Sequence, residues 1–202
     1  MPELRYRLPL FPLPVVLVPG AVMPLHIFEQ RYRDMVSDVL ERNRTFGLIY
    51  HDWDDHGPFL AEHGQVGCVA HIREHERLED GRYMLIVEGL ERFVIDEGLE
   101  QRALYFEAIV TSYSDTSAMH GEEMEFRRTE SIRLFEQLVA LLPERPDHLP
   151  ELDAGAEVSY ALAQTIQMDL PWHQRLLEIR DEGSRLERID QVLRAVIRHG
   201  GA

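Results

Sequence analysis

A chain of 202 residues buries roughly 70% of its unfolded surface on folding, enough for one domain or for two small ones sharing an interface. Its 36 acidic and 21 basic residues leave a formal charge of −15, which repels phosphate backbones and argues against a nucleic-acid partner. All 21 basic residues are arginine, so these residues hold no P-loop, no Schiff-base lysine and no Ser-Lys dyad.

The run from Leu8 to Val36 joins proline-cut apolar pieces to an amphipathic stretch bearing arginines. Pro9, Pro12, Pro14, Pro19 and Pro24 fix φ and remove backbone donors, which predicts short edge strands or extended crossings and excludes a long central strand. Arg5 and Arg7 precede the run, but the prolines and the lack of a small-x-small site before His26 argue against a secretory leader. No uncharged apolar stretch suits a membrane span either. The expected compartment is the cytoplasm. After Pro24 the period changes, and Tyr32, Met35, Val36, Val39 and Leu40 recur at helical steps that predict a helix packed on strands.

Phe46 to Tyr50 reads as a buried strand, and His51 to Gly64 as an acidic loop turning at Gly57-Pro58. From Val66 the residues alternate as in a half-buried strand. Cys68, the sole cysteine, lies within it, which predicts an inert buried thiol and a reducing compartment. Asp80-Gly81 predicts a hairpin turn with positive φ at both residues, leading to a partner strand over Tyr83 to Val87. Glu88-Gly89 predicts a bend or bulge before Arg92 to Ile95, and Tyr105 to Thr111 is the next strand.

Ser112 to Gly121 is small and polar, and it separates strand periodicity from helix periodicity. The expected units are therefore a strand-rich 1–115 and a helical 116–202. A helix is predicted over Glu122 to Leu142, with Ile132, Phe135, Leu138, Val139 and Leu142 as its apolar stripe. Pro143, Pro146 and Pro150 enforce an extended crossing. Further helices are predicted over Gly155 to Met168, Pro171 to Arg180 and Ser184 to His199, the last opened by a Ser184-to-Glu187 capping box.

The block from Pro24 to Arg33, the stretch from Gly67 to Ile95 with its Val87-Glu88-Gly89-Leu90 and Arg92, and Tyr105 to Val110 resemble the Lon protease N-terminal (substrate-binding) domain family. The first block is most similar to free-standing members without ATPase or peptidase domains, and the likeness covers about the first 110 residues. The resemblance implies an α+β fold. Its N-terminal half would be a curled, barrel-like, mostly antiparallel β-sheet with one helix (PUA-like), and its C-terminal half a helical bundle. It also implies a non-enzymatic polypeptide- or protein-binding module without a cofactor, serving as adaptor, holdase-like binder or regulator. The partner would be an unfolded polypeptide or a specific protein.

Two alternatives come from other classes. Folds similar to this family's bind modified RNA, against which the charge of −15 stands. His71-Ile72-Arg73-Glu74-His75 spells the H-x-x-E-H pattern of zinc peptidases. Such ligands need a helix, because on a strand His71 and His75 would be roughly 13 Å apart, beyond one zinc. His51, Asp52, Asp54, Asp55, His56 and His63 offer metal-binding groups in one loop, but their spacing matches no calcium loop, and no serine sits in a nucleophile elbow. The expectation is no catalytic residue and no metal. Phe28, Arg31, Tyr32, Trp53 and Arg92 are the candidate partner-binding residues, arginine and aromatic side chains being favoured at interface hot spots. A structural reading stands beside this one, with Tyr32 in the core and an arginine paired to a carboxylate such as Glu88.

Overall fold

The structure is a computed structural model that describes residues 5–99, 104–116, 119–144, 146 and 148–200. They group into two compact units, Met1–Ser114 with Leu170–Glu178, and Asp115–Asp169 with Ile179–Ala202.

The first unit is built on a six-stranded sheet. Its strands are β1 (Arg5–Leu13), β2 (Val22–Ile27), β3 (Thr45–Tyr50), β4 (Val66–Arg77), β5 (Tyr83–Gly98) and β6 (Phe106–Ser112), in the spatial order β2-β5-β4-β3-β1-β6. β1 and β3 run parallel and the other pairs antiparallel, so the sheet is mixed. β5 also pairs with β6, which curls the sheet until its ends meet. The sheet is curled and mostly antiparallel, as expected, but it is not a clean barrel, because β2 stays outside this ring as an added edge and register shifts interrupt the β4–β5 and β5–β6 ladders. One shift, between Cys68 and Ala70 on β4, faces the Gly89-to-Arg92 step of β5, so the predicted bend is a bulge inside one long strand.

The expectation that the prolines exclude a long central strand is corrected. β1 spans nine residues and pairs on both sides, although it contains Pro9 and Pro12. Its first six residues pair with β6 and its last four with β3, overlapping only at Leu10. Each proline thus sits where one neighbour is missing, and no ladder bond is lost to its absent N–H. Leu8, Leu10, Ile49, Phe59, Val69, Phe93, Ile95, Ala108 and Val110 fill the core between the strands. Cys68 lies within the sheet, and burial pushes its thiol up to about 12.

The hairpin between β4 and β5 also differs from the expectation. Only Gly81 has positive φ, and its N–H donates to Leu78 O while Leu78 N–H donates to Arg82 O. This is a three-residue loop ending in a left-handed glycine, rather than a two-residue turn.

The helix α1 (Gln30–Leu40) buries Tyr32, Met35, Val36 and Val39. Stacking of Tyr32 on Phe11, with centroids 4.2 Å apart, and a bond from Tyr105 Oη to Asp38 Oδ2 at 2.8 Å hold it on the strands. A single helical turn, α2 (Trp53–His56), interrupts the acidic loop.

In the second unit α3 (Glu122–Leu141) and α4 (Ser159–Gln164) both pack on α6 (Glu182–Gly200). Buried guanidinium groups tie them together. Arg185, fully buried on α6, grips Asp115 with two bonds of 2.6 and 2.8 Å and donates to Ser159 Oγ, while Arg128 of α3 pairs with Glu182 of α6 at 2.6 Å. Such planar two-point pairing is within reach of arginine and not of lysine. The capping expectation shifts by one turn, since Asp181 accepts from Ser184 N–H at 2.7 Å and α6 starts at Glu182. The α3 stripe is less buried than predicted, with Leu142 exposed beyond the helix end. Of the predicted linker, residues 117 and 118 lie outside the described residues.

The fifth helix, α5 (Leu170–Glu178), belongs with the strands rather than with the other C-terminal helices. It packs on β4. Arg92 Nη1 donates to Leu177 O at 2.7 Å, Tyr113 Oη to Glu178 O at 3.1 Å, and Gln174 Nε2 to Val66 O at 3.0 Å. Among the described residues no helix is long and apolar enough to cross a membrane.

Candidate functional site

The chain leaves β2 and enters α1 through Phe28 and Glu29. Glu29 has extended backbone and its carbonyl accepts from the N–H groups of Tyr32 and Arg33, so the strand turns directly into the helix. This corner leaves Phe28 61% exposed, while Tyr32, one turn on, is 2% exposed. Between them lies a groove of about 170 Å³ lined by Phe11, Leu13, Pro24, Leu25, His26, Ile27, Phe28, Glu29 and Tyr32. It is smaller than pockets that enclose drug-sized ligands, which hold roughly 300–1,000 Å³, and suits a single side chain.

Two features of the corner remain unsatisfied. The Tyr32 phenolic oxygen is buried with no hydrogen-bond partner among the described residues, and burial pushes its pKa up to about 12, so it keeps its proton and can only gain by donating. The second feature is the outer edge of β2, which no strand covers among the described residues. Gly89 N–H donates to Ala21 O at 2.8 Å, which fixes the parity of the ladder. Bonded pairs alternate in an antiparallel ladder, so Met23, Leu25 and Ile27 turn their backbone toward β5, and Val22, Pro24 and His26 turn theirs away. Pro24 therefore directs its missing donor outward, as an edge proline does.

The five candidate residues divide. Phe28, Arg31 and Tyr32 come together at the corner, where the Arg31 guanidinium pairs with Glu29 at 2.8 Å and lies 5.1 Å from the Tyr32 ring centre. Trp53 sits on α2, 39% exposed, edge-on to His51 at 4.6 Å. Arg92 is 5% exposed, fastened to α5 and stacked over Tyr113, so it holds the fold and offers no surface to a partner. Glu88 pairs with Arg73 at 3.8 Å, not with an arginine of α1.

His71, Glu74 and His75 lie on β4, where His71 and Glu74 oppose Glu88 and Ile86 of β5. A strand spreads these side chains too far for one zinc. Asp52 instead caps α2 by accepting from Asp54 N–H, and His51 Nε2 donates to Gly57 O. The Asp55 side chain lies outside the described residues. Among the described residues no three His, Cys, Asp or Glu side chains are grouped to hold a metal ion.

A second groove of the same unit, about 550 Å³, was not foreseen. Ile49, His51, Pro58, Val66 and Gln174 are among its walls. Its α5 wall includes Gln174, 108 residues beyond Val66, a distance across which periodicity carries no signal. The Gln174 amide N–H donates to Val66 O and the His51 ring to Gly57 O, while Gln174 Oε1 is buried without a hydrogen-bond partner among the described residues. The β2–α1 corner adds an exposed aromatic ring and an open strand edge, which makes it the better candidate.

This sheet and its helices define a known class of domain. The fold is similar to the crystal structure of a Lon N-terminal domain protein from Xanthomonas campestris, with a TM-score of 0.65 and 26% identity over 91% of this chain and 96% of that one. The N-terminal domain of Mycobacterium avium complex Lon protease shares it, with a TM-score of 0.65 at 16% identity. A family model described as the ATP-dependent protease La (LON) substrate-binding domain matches residues 7–195, and the chain belongs to that family. Among relatives, the Lon protease of Xanthomonas oryzae pv. oryzae is 32% identical over 89% of this chain and 22% of its own length. Lon protease 2 of Myxococcus xanthus is 26% identical over 92% of this chain and 23% of its own. The chain thus spans less than a quarter of these relatives.

Proposed function

We propose that this protein is a non-enzymatic, PUA-like binding module of the cytoplasm that recognises polypeptide chains, unfolded or displayed by a specific partner, at the β2–α1 corner. It would serve as adaptor or regulator. Membership of a substrate-binding family supports recognition of protein substrates, and the exposed ring of Phe28 beside a groove of single-side-chain size carries the choice of site. Aromatic anchors next to small apolar pockets dominate the energetics of protein recognition.

Having no lysine, the chain offers its α-amine as the only primary amine, so one fluorophore can be attached and binding followed by anisotropy. A reduced, unfolded protein is expected to bind in the micromolar range and its native form far more weakly. Phe28→Ser should weaken binding about tenfold, near 1.4 kcal/mol. Equal binding by the unchanged protein and Phe28→Ser would remove the corner as the site, and absence of binding would overturn recognition of unfolded chains.

A further inference from the structure

We infer that the polypeptide is taken up as an extra strand on the outer edge of β2, and that the preferred segment alternates apolar and basic residues. This rests on the polypeptide-binding reading of the corner and adds its mode and its specificity. An exposed edge is a template for a chain of extended backbone. The edge of β2 presents the N–H and C=O groups of Val22 and His26 and the C=O of Pro24, as the ladder parity requires. Val22 is 51% exposed and Pro24 and His26 are exposed, so no described residue of the unit covers these side chains.

The two faces of such a strand meet different surroundings. One face shares the side of Leu25 and Ile27 and drops toward the groove floor of Phe11, Leu13 and Tyr32, where apolar side chains fit. The other face lies beside Val22, Pro24 and His26, which continue across the sheet as the rows Val22-Glu88-His71, Pro24-Ile86-Glu74 and His26-Met84-Glu76. Long basic side chains can lay their stems on Val22 and Pro24 with their heads toward these carboxylates. Glu74 and Glu76 have no ion-pair partner among the described residues.

A second copy of the chain does not suit the edge. Two β2 strands paired antiparallel about Pro24 would set proline against proline and lose both central bonds, and each copy carries a charge of −15. A segment of opposite charge loses only one bond.

Opposed residues on paired strands share a face. With the added strand antiparallel to β2, as β5 is, opposed residues also bond to each other, so the residues that bond to β2 are those on the basic face, which gives a test. The parent peptide is Val-Arg-Val-Arg-Val-Arg-Val with a fluorophore at its N-terminus. One derivative is N-methylated at the arginines and another at the inner valines. The expected result is parent binding that falls at least about tenfold on arginine methylation, 1.4 kcal/mol or more, and stays within about twofold on valine methylation. His26→Pro should weaken and Pro24→Ala tighten the parent. Equal binding of all three peptides would overturn strand addition while leaving polypeptide recognition standing. Binding of unfolded protein without binding of the parent peptide would overturn the alternating preference, and failure of both would remove the reading on which the inference rests.

Discussion

Gly89 shows what a single residue does for the candidate site. Its carbonyl accepts from Gly20 N–H and its N–H donates to Ala21 O, so it holds the turn that delivers the chain into β2. A Cβ at this position would stand 2.2 Å from Val18 O, a backbone atom that cannot swing aside. Gly89→Ala should therefore cost about 1–3 kcal/mol in urea denaturation, as overpacking does, and an unchanged midpoint would contradict the close approach. Asp96 makes a second prediction at this scale. It accepts from Thr111 Oγ1 at 2.7 Å and from Arg5 Nε at 2.8 Å, and these bonds, Thr111 first, hold its carboxyl below the ordinary 3.8. A carboxyl lowered on folding contributes stability that is present above the unfolded value and lost as pH falls through the folded one. Thr111→Val should move the Asp96 titration up toward 3.8 by carboxyl NMR and flatten the loss of stability below that pH; an unmoved titration would contradict the assignment.

Elements were legible to different depths. Alternation from Val66 and the helical period after Pro24 are local signals, and they carried β4 and α1 as well as the corner where Phe28 and Tyr32 meet. β1 was misjudged because its prolines are tolerated by a division of pairing between β3 and β6, which no local pattern encodes. The outer edge of β2 is likewise a product of strand order, visible only once all six strands are placed. Arg92 stays open in sequence between a partner contact and a structural role, since sequence shows a charge but not its burial. In the fold it links β5 to Leu177, 85 positions along the chain. Arg92→Met should loosen α5 by about 1–3 kcal/mol, read as faster hydrogen exchange across Leu176–Glu178. Unchanged protection there would show that α5 is held by its apolar contacts alone.

At the scale of the whole molecule, the charge of −15 and the absence of lysine set the terms of recognition. Excess carboxylates speed encounter with basic segments and repel acidic ones, and at physiological salt this reaches only about 8 Å, so it favours association rate more than residence. On the proposed reading, residence falls to the apolar groove and to the backbone edge. Hydrogen exchange with and without saturating unfolded polypeptide is the most direct check. Slowed exchange confined to Val22–Tyr32, strongest at the outward amides of Val22 and His26, is the expected result. Protection that spares this segment and appears on other elements would place recognition elsewhere and contradict the β2–α1 corner as the binding site.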